Sequence, residues 1–366
     1  MRITISKDNL NYAISAAQRA INPKSIIPLY SCIKLEVIDN QGIFTGAGLD
    51  TIIQCTVPVQ MEREGTALIP ARYFSDIVRR LPDVPITIEH TESMELSIRY
   101  NQSFFTLRTL AVNDFPLTPE VQGDLSFTLS SETLSTLIRQ SSFASSSDEL
   151  KGVFTGILWE IDGTEISLVG TDTHRLAWSR GTLSSGGAEE KVSFILPAKL
   201  VNELGRLIQS GECQIHADKH SVSFQWDNVF MNCHILDGIF PNYRSVVPSQ
   251  FMSSIQVDSK ALRDAAERIS LFSASNDTSN TIYFEIAEGI MEIHSQSEIG
   301  YGRESLAVQM DGEPIEIAFN SRYLTDVFKV IDCDLVDIQL SGQLTASIIK
   351  DQQDDDFFYL LLPVRY

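Results

Sequence analysis

The chain has 366 residues, 43% apolar and 21% charged, an ordinary globular balance with length for two or three domains. No apolar run reaches the ~18 residues of a membrane span, and MRITISKDNL at the start reads as a strand pattern, not a signal peptide, so the expected place is the cytoplasm, with no membrane partner. The formal net charge of −20, taken as a total, argues against a nucleic-acid partner.

The first predicted elements are a short strand and an amphipathic helix joined at ISKDNL (residues 5–10). The helix carries Leu10, Ala13, Ile14, Ala17 and Ile21 at the 3.6-residue period. Alternating strands follow, GIFTGAG at 42–48 among them, and then a second strand-to-helix phrase, IPARYF (69–74), with Phe74, Ile77, Val78 and Leu81 on its stripe. Both phrases return. LSSETL (129–134) opens a helix with Leu134, Leu137 and Ile138, and LPAKLV (196–201) one with Val201, Leu204 and Ile208. TEISLVG (164–170) alternates between them and SVSFQW (221–226) after them. A third round has VDSKAL (257–262) with Leu262, Ala265, Ala266 and Ile269, then GIMEIHS (289–295), then FNSRYL (319–324) with Leu324, Val327, Phe328 and Ile331.

Leu10, Leu134 and Leu262 lie 124 and 128 residues apart, and Pro70, Pro197 and Asn320 lie 127 and 123 apart. Two unrelated phrases holding nearly one period define three tandem units, each of two similar halves. Helices with one apolar stripe and half-buried antiparallel strands predict an α+β fold, two helices per unit packed on sheets. The expected domains are 1–123, 124–250 and 251–366. Mobile loops are expected at 141–149, 183–190 and 351–356, which are rich in small or acidic residues.

The five cysteines form no Cys-x-x-Cys pair and read as buried free thiols. His216 and His220 are four apart, but QIHADKHSVSF reads as strand, turn and strand, and no metal site is expected. Charge sorts by element. The six helix segments with their flanks, 71 residues, hold 13 Lys or Arg and seven acids, net +6, whereas the remaining 295 residues carry net −26. Basic helices gathered on one surface, with an acidic exterior, would hold duplex DNA by its phosphates without reading sequence.

LIPARYF at 68–74, NDFPLTP at 113–119, GTDTHRLAW at 170–178, GIFPNYRSVVP at 238–248 and the terminal LLPVRY, on a threefold repeat of this length, resemble the family of bacterial sliding clamps, the β subunits of DNA polymerase III. The resemblance covers the whole chain. It implies three clamp domains in a crescent, two crescents closing head to tail into a homodimeric ring, and DNA encircled so that the replicative polymerase slides without falling off. It implies no cofactor and no catalysis. Clamp loader, polymerase and repair proteins would attach by short peptides in a groove that corresponds to Phe154, Thr171, Thr173, His174, Arg175, Leu176, Pro241, Ser245, Val246, Leu344, Leu360, Leu362, Pro363 and Val364. In that reading Leu176, Val246, Leu360, Leu362 and Val364 make an apolar slot, and His174 and Arg175 orient the peptide at its rim; the residues alone read His174–Arg175 as a structural ion pair or hydrogen-bonded turn. Two positions depart from the family pattern: Gly is common at the place of Thr173 and Arg at that of Ser245. DNA-facing candidates are Arg19, Lys24, Arg72, Arg79, Arg80, Lys199, Lys260 and Arg263. The ring interface would join Phe105 and Leu107 on an edge strand to Leu271 and Phe272 of the other copy, with Phe105 facing Phe272.

Two other readings compete. An enzyme would use Asp354–Asp355–Asp356 or the pair Asp172 and His174, but the acid run reads as a solvated turn, and the chain has neither a Gly-rich phosphate loop nor a Gly-x-Ser-x-Gly elbow. A monomeric scaffold would use the groove without DNA.

Overall fold

A computed structural model describes residues 1–22, 25–119, 123–273 and 280–365. Among them lie the expected helices: α1 (Lys7–Ala17), α2 (Ala71–Arg80), α3 (Ser131–Ser142), α4 (Ala198–Leu207), α5 (Ser259–Ser270) and α6 (Ser321–Val327). The polar residue in the repeated phrase is an N-cap. Ser6 accepts from the Asn9 N–H, Asp258 from Ala261, and Asn320 from both Arg322 and Tyr323. Each such cap is worth ~1 kcal/mol because it satisfies a helix-end donor that has no intrahelical partner.

Packing divides the chain into two compact units that differ from the three repeats. The first comprises Met1–Glu132, Ser184–Gly186 and Arg206–Ile235. It holds a nine-stranded antiparallel sheet in the order Ser185–Gly186, Leu125–Ser130, Glu212–Ala217, Ser221–Trp226, Val229–His234, Thr51–Pro58, Gln41–Ala47, Cys32–Ile38 and Gly65–Pro70. Its second sheet has five strands, Gln60–Arg63, Arg2–Ile5, Ile86–His90, Glu95–Tyr100 and, at the edge, Ser103–Arg108. Helix α1 seals this unit with Leu10, Ala13, Ile14 and Ala17.

The second unit comprises Thr133–Leu183, Gly187–Gly205 and Leu236–Tyr366. Its nine-stranded sheet runs Ala188–Pro197, Gly156–Gly163, Glu165–Thr171, Arg175–Thr182, Phe357–Leu361, Ser347–Asp351, Leu335–Leu340, Ser253–Asp258 and Gln309–Gly312. A four-stranded sheet adds Gly300–Ala307 at one edge, then Ile290–Ser297, Thr281–Ala287 and Ile315–Asn320. The largest core here packs α5 residues Leu262, Ala265, Ala266 and Ile269 with Phe284, Phe319 and Tyr359.

The loop expected at 183–190 is largely strand. Gly186 at φ +75° and Gly187 at φ +138° turn the chain, so Ser185–Gly186 pairs with Phe127 and Thr128 while a ten-residue strand begins at Ala188. In the segment 141–149, Ser141 and Ser142 finish α3, and Asp148 caps a 3-10 turn at Glu149–Thr155. Residues 351–356 do form a turn between strands, with Asp356 paired to Arg180 at 2.7 Å. His216 and His220 flank a turn held by Asp218, whose Oδ1 accepts the His220 and Ser221 N–H groups. All five cysteines are free, and burial pushes the Cys55, Cys213 and Cys233 thiols up to about 12. Among the described residues, no helix is long and apolar enough to cross a membrane, and no group of three metal-ligating side chains occurs.

Two glycines of the repeat occupy the same tight place. A Cβ on Gly48 would sit 2.6 Å from the Ala20 carbonyl oxygen beyond α1, and one on Gly170 would sit 2.2 Å from the Ser141 oxygen in α3. Backbone cannot yield there as a side chain would. We expect Gly48→Ala and Gly170→Ala each to destabilise the fold by about 1–3 kcal/mol, read as a lower urea midpoint; an unchanged midpoint would show that the strands stand off the helices.

Candidate functional site

The second unit carries an apolar slot on its nine-stranded sheet. Leu176 and Leu360 lie opposite each other on paired strands, and Ile348 faces Leu360 from the next strand. These three join Leu158, Val169, Ile195 and Tyr243 in one buried group, with Val153, Leu236, Phe240, Val247 and Ala346 packed against it. Of the residues expected in the slot, Leu176 and Leu360 are its floor, each 3% exposed. Val246, Leu344 and Leu362 stand exposed. Phe154 is half-buried with its ring edge-on to Phe240 at 6.2 Å. Pro241 and Ser245 are exposed, and Pro363 and Val364 are partly so. The chain end is tied down by Leu362 N–H to the His174 carbonyl at 3.0 Å and Val364 N–H to that of Ala318 at 2.8 Å.

The phrase GTDTHRL folds into a turn built on Asp172. Its Oδ1 accepts the N–H groups of His174 (3.0 Å) and Arg175 (3.1 Å), and its Oδ2 accepts Arg175 Nε at 3.0 Å. Thr171 Oγ1 donates to the Arg175 carbonyl and accepts the Thr173 N–H. Thr173 is held at φ +83°, a left-handed conformation that costs a β-branched residue on the order of 1–3 kcal/mol. Glycine adopts it freely, so the Gly that the resemblance suggested at this position would be unstrained here. The carboxylate of Asp172 is fully engaged with backbone and guanidinium, and the His174 ring stacks on Tyr323 at 6.2 Å. The two do not form an acid–base pair.

Arg175 does not stand at the rim, as expected from the sequence, but is 7% exposed beneath it. Its Nη1 donates to Asp326 Oδ2 on α6 at 2.7 Å, its Nη2 to the Phe143 carbonyl at 2.9 Å, and its guanidinium lies 4.5 Å from the Tyr323 ring centroid. Burial would raise the Asp326 carboxyl, but Lys329 and Arg175 reverse that and hold it below the ordinary aspartate value. Arg175 therefore braces α6 to the sheet from a buried position. Its signal in the sequence was the nearby Asp172; its partner Asp326 lies 151 residues away and gave none.

A second buried acid lies behind the wall of the slot. Glu160 accepts from Tyr243 Oη at 2.7 Å, from both terminal nitrogens of Arg244 at 3.1 and 2.7 Å, and from Lys191 Nζ at 2.7 Å. Burial would raise its pKa, but these donors lower it to about 2. Sequence reasoning missed Glu160, Tyr243 and Arg244 as a set.

The basic candidates fall on both units and are described within each. In the first, Arg19 and Arg72 line one open cavity of about 620 Å³ between the end of α1 and the start of α2, with Ser15, Gln18 and Tyr73. Arg79 and Arg80 occupy the last turn of α2, Arg79 donating to Ser75 Oγ and Arg80 pairing with Asp76. Lys24 lies outside the described residues. In the second, Lys199 and Lys260 are exposed, whereas Arg263 is half-buried and pairs with Asp264 at 3.3 Å.

Phe105 and Leu107 lie on the edge strand Ser103–Arg108 of the five-stranded sheet, where Phe104 is 70% exposed and Phe105 38%. Leu271 is 70% exposed. Phe272 turns back onto its own edge strand, because the absent side chains of Gly300 and Gly302 leave it room: a Cβ on Gly302 would lie 2.6 Å from the ring. Leu271 is thus the more exposed of the two, and Phe272 is partly covered.

Three family descriptions match consecutive stretches of the chain. They are the N-terminal domain of the DNA polymerase III beta subunit (residues 1–119), its central domain (128–242) and its C-terminal domain (244–365). The chain is 29% identical over 377 aligned residues to a beta sliding clamp of Staphylococcus epidermidis, covering all of this chain and 99% of that protein. It also superposes on the crystal structure of the Bacillus subtilis DNA polymerase sliding clamp with TM-score 0.95 at 28% identity, covering 100% of this chain and 99% of that one. The DNA polymerase III subunit beta of Pseudomonas aeruginosa gives TM-score 0.93 at 29% identity with full coverage of both chains.

Replacing Arg175 by Met leaves Asp172 buried with backbone donors alone and Asp326 with Lys329 as its one remaining cation, and we expect a loss of about 3–5 kcal/mol at pH 7. Asp326 titrates below its ordinary value in the fold, so its stabilisation is complete above that value and lost as pH falls through the folded one. The gap between wild type and Arg175→Met in urea denaturation should therefore narrow on going from pH 7 to pH 3; a gap that widens would contradict the brace.

Proposed function

This chain belongs to the family of bacterial DNA polymerase III beta subunits, and from that premise we propose how it performs the work of a DNA sliding clamp, the processivity factor of DNA polymerase. The observation that carries the reading is the match of fold and sequence over the full length. Residues 1–123, 124–250 and 251–366 are the three clamp domains. Two copies join head to tail into a ring around duplex DNA. No bond is made or broken; the ring retains the polymerase by topology. The clamp works in the cytoplasm, where polymerase, clamp loader and repair proteins dock by short peptides in the Leu176–Leu360 slot.

Edge strands support the head-to-tail junction. An exposed strand with unpaired backbone groups and large apolar side chains invites pairing with another chain. The five-stranded sheet ends in such an edge at Ser103–Arg108, and the four-stranded sheet ends at Gly300–Ala307. Five strands and four make nine, the number in each sheet already complete within the chain. Pairing of these edges between copies would bury Phe104 and Phe105, with Leu271 at the margin. Arg19, Arg72, Arg79, Arg80, Lys199 and Lys260 then supply interchangeable phosphate contacts, weak singly and salt-dependent together.

The protein loaded onto nicked circular duplex should stay bound and be released when the circle is linearised. Sedimentation should give close to twice 40.8 kDa. The double variant Phe105→Asp/Leu271→Asp should sediment as a monomer and lose retention on the circle. Equal retention on linear and circular DNA would defeat the ring. Separately, deletion of residues 362–366 should abolish peptide binding and leave the dimer intact, because the removed segment ties to His174 and Ala318 and not to Ser103–Arg108 or Gly300–Ala307. A truncated protein that turns monomeric would show the slot to be misplaced.

A further inference from the structure

The wall of the slot that carries Pro241, Ser245 and Val246 has little regular backbone structure to hold it. Its regular backbone structure is a single four-residue 3-10 turn, Tyr243–Val246, which has no side-chain cap. Ser245 and Val246 are exposed, so packing does not fix them. Phe240, Tyr243 and Val247 seat the segment on the apolar group of the sheet; its polar tie to the sheet is the carboxylate of Glu160, in the strand Gly156–Gly163. One oxygen takes Tyr243 Oη and one arm of Arg244, and the other takes the second arm and Lys191 from the adjacent strand. The Arg244 guanidinium also lies 4.6 Å from the Tyr243 ring centroid. Tyr243 is 5% exposed, in the same apolar group as Leu176 and Leu360, so the hydroxyl anchors from inside what the guanidinium clasps from outside.

We propose that Glu160 is a positioning residue of the slot: through Tyr243 and Arg244 it fixes the wall bearing Ser245 and Val246, and so sets the affinity for a docked peptide without touching it. This rests on the reading of the slot as the peptide site. A preformed wall spares the complex the ordering of a loose segment, and charge-assisted bonds to one shared carboxylate give that order at small cost in backbone contacts. The arrangement also commits Arg244 to Glu160. With Ser245 neutral and exposed and Arg175 engaged below, this wall offers a peptide apolar and neutral polar contacts.

The test uses full-length protein and a fluorescein-labelled hexapeptide carrying two leucines and one phenylalanine, read by anisotropy well below the melting temperature of every variant. Glu160→Gln keeps the shape and an acceptor for Tyr243 but removes the charge; it should weaken the peptide about tenfold, the size of one charge-assisted bond. Tyr243→Phe should weaken it by a smaller factor, and Glu160→Asp should recover part of the loss. Amide exchange at Ser245 and Val246 should quicken in Glu160→Gln, while retention on circular duplex is unchanged. If Glu160→Gln does not fold, Tyr243→Phe decides on the same two readouts. Wild-type affinity with wild-type exchange in the variant overturns the positioning role, provided Leu176→Asp abolishes binding and so upholds the slot. Undiminished binding by Leu176→Asp overturns the slot, and this inference with it.

Discussion

Antiparallel pairing between a strand of one repeat and a strand of the next is the constraint on which the other features depend. In the first unit Val229–His234 pairs with Thr51–Pro58, and in the second Arg175–Thr182 pairs with Phe357–Leu361. The second register places Leu176 opposite Leu360, brings the His174 carbonyl to the Leu362 N–H, and sets Arg175 against α6. A shift of one residue would turn every side chain of the strand to the other face and dissolve the slot. The slot is thus the surface of a sheet junction. Its stability is inseparable from that of the sheet, and its two ends belong to segments far apart in the chain.

Helices and strands were legible because each is signalled locally. A capping residue followed by apolar residues at helical spacing marks a helix start at Ser6, Asp258 and Asn320, and alternation marks the strands. The repeat added what no single segment carries, the equivalence of Gly48 and Gly170. Legibility failed where the determining partner is distant. Nothing near Glu160 announces Tyr243 and Arg244, 83 and 84 residues on. For Arg175 a structural ion pair was one reading of the residues, but its partner on α6, Asp326, lies 151 residues away and could not be named. The stretch 183–190 failed for a different reason: its small and acidic residues suit a loop, but two glycines at positive φ make it a crossing between strands.

Thr173 shows how strain persists at such a place. The residue holds a conformation that glycine would take freely, yet the turn around it leaves no other choice. Asp172 fixes the next two N–H groups, Thr171 fixes its own, and Lys151 Nζ adds a bond to the Asp172 carbonyl at 2.9 Å. Over-determination by neighbours is what allows an unfavourable φ to survive. The exposed side chain of Thr173 is then presented beside His174 in a fixed direction.

Arginine serves two ends in this chain, and burial decides which. Arg175 meets Asp172 and Asp326 with every side chain of the set at most 15% exposed, so little salt reaches the pairs and breaking one leaves a stranded charge. Arg80 pairs with Asp76 while 75% exposed, and Arg268 with Glu304 while 57% exposed; such pairs are weak in water and are screened within about a Debye length. A weak, wet pair is the kind a passing phosphate can replace and release. A formal count of helix cations therefore overstates the charge free to meet an anion at any instant. Beneath the slot the geometry is one that ionic strength alters little. The two kinds of pair are separated by depth, with salt-sensitive contacts on exposed helix turns and salt-resistant braces under the slot.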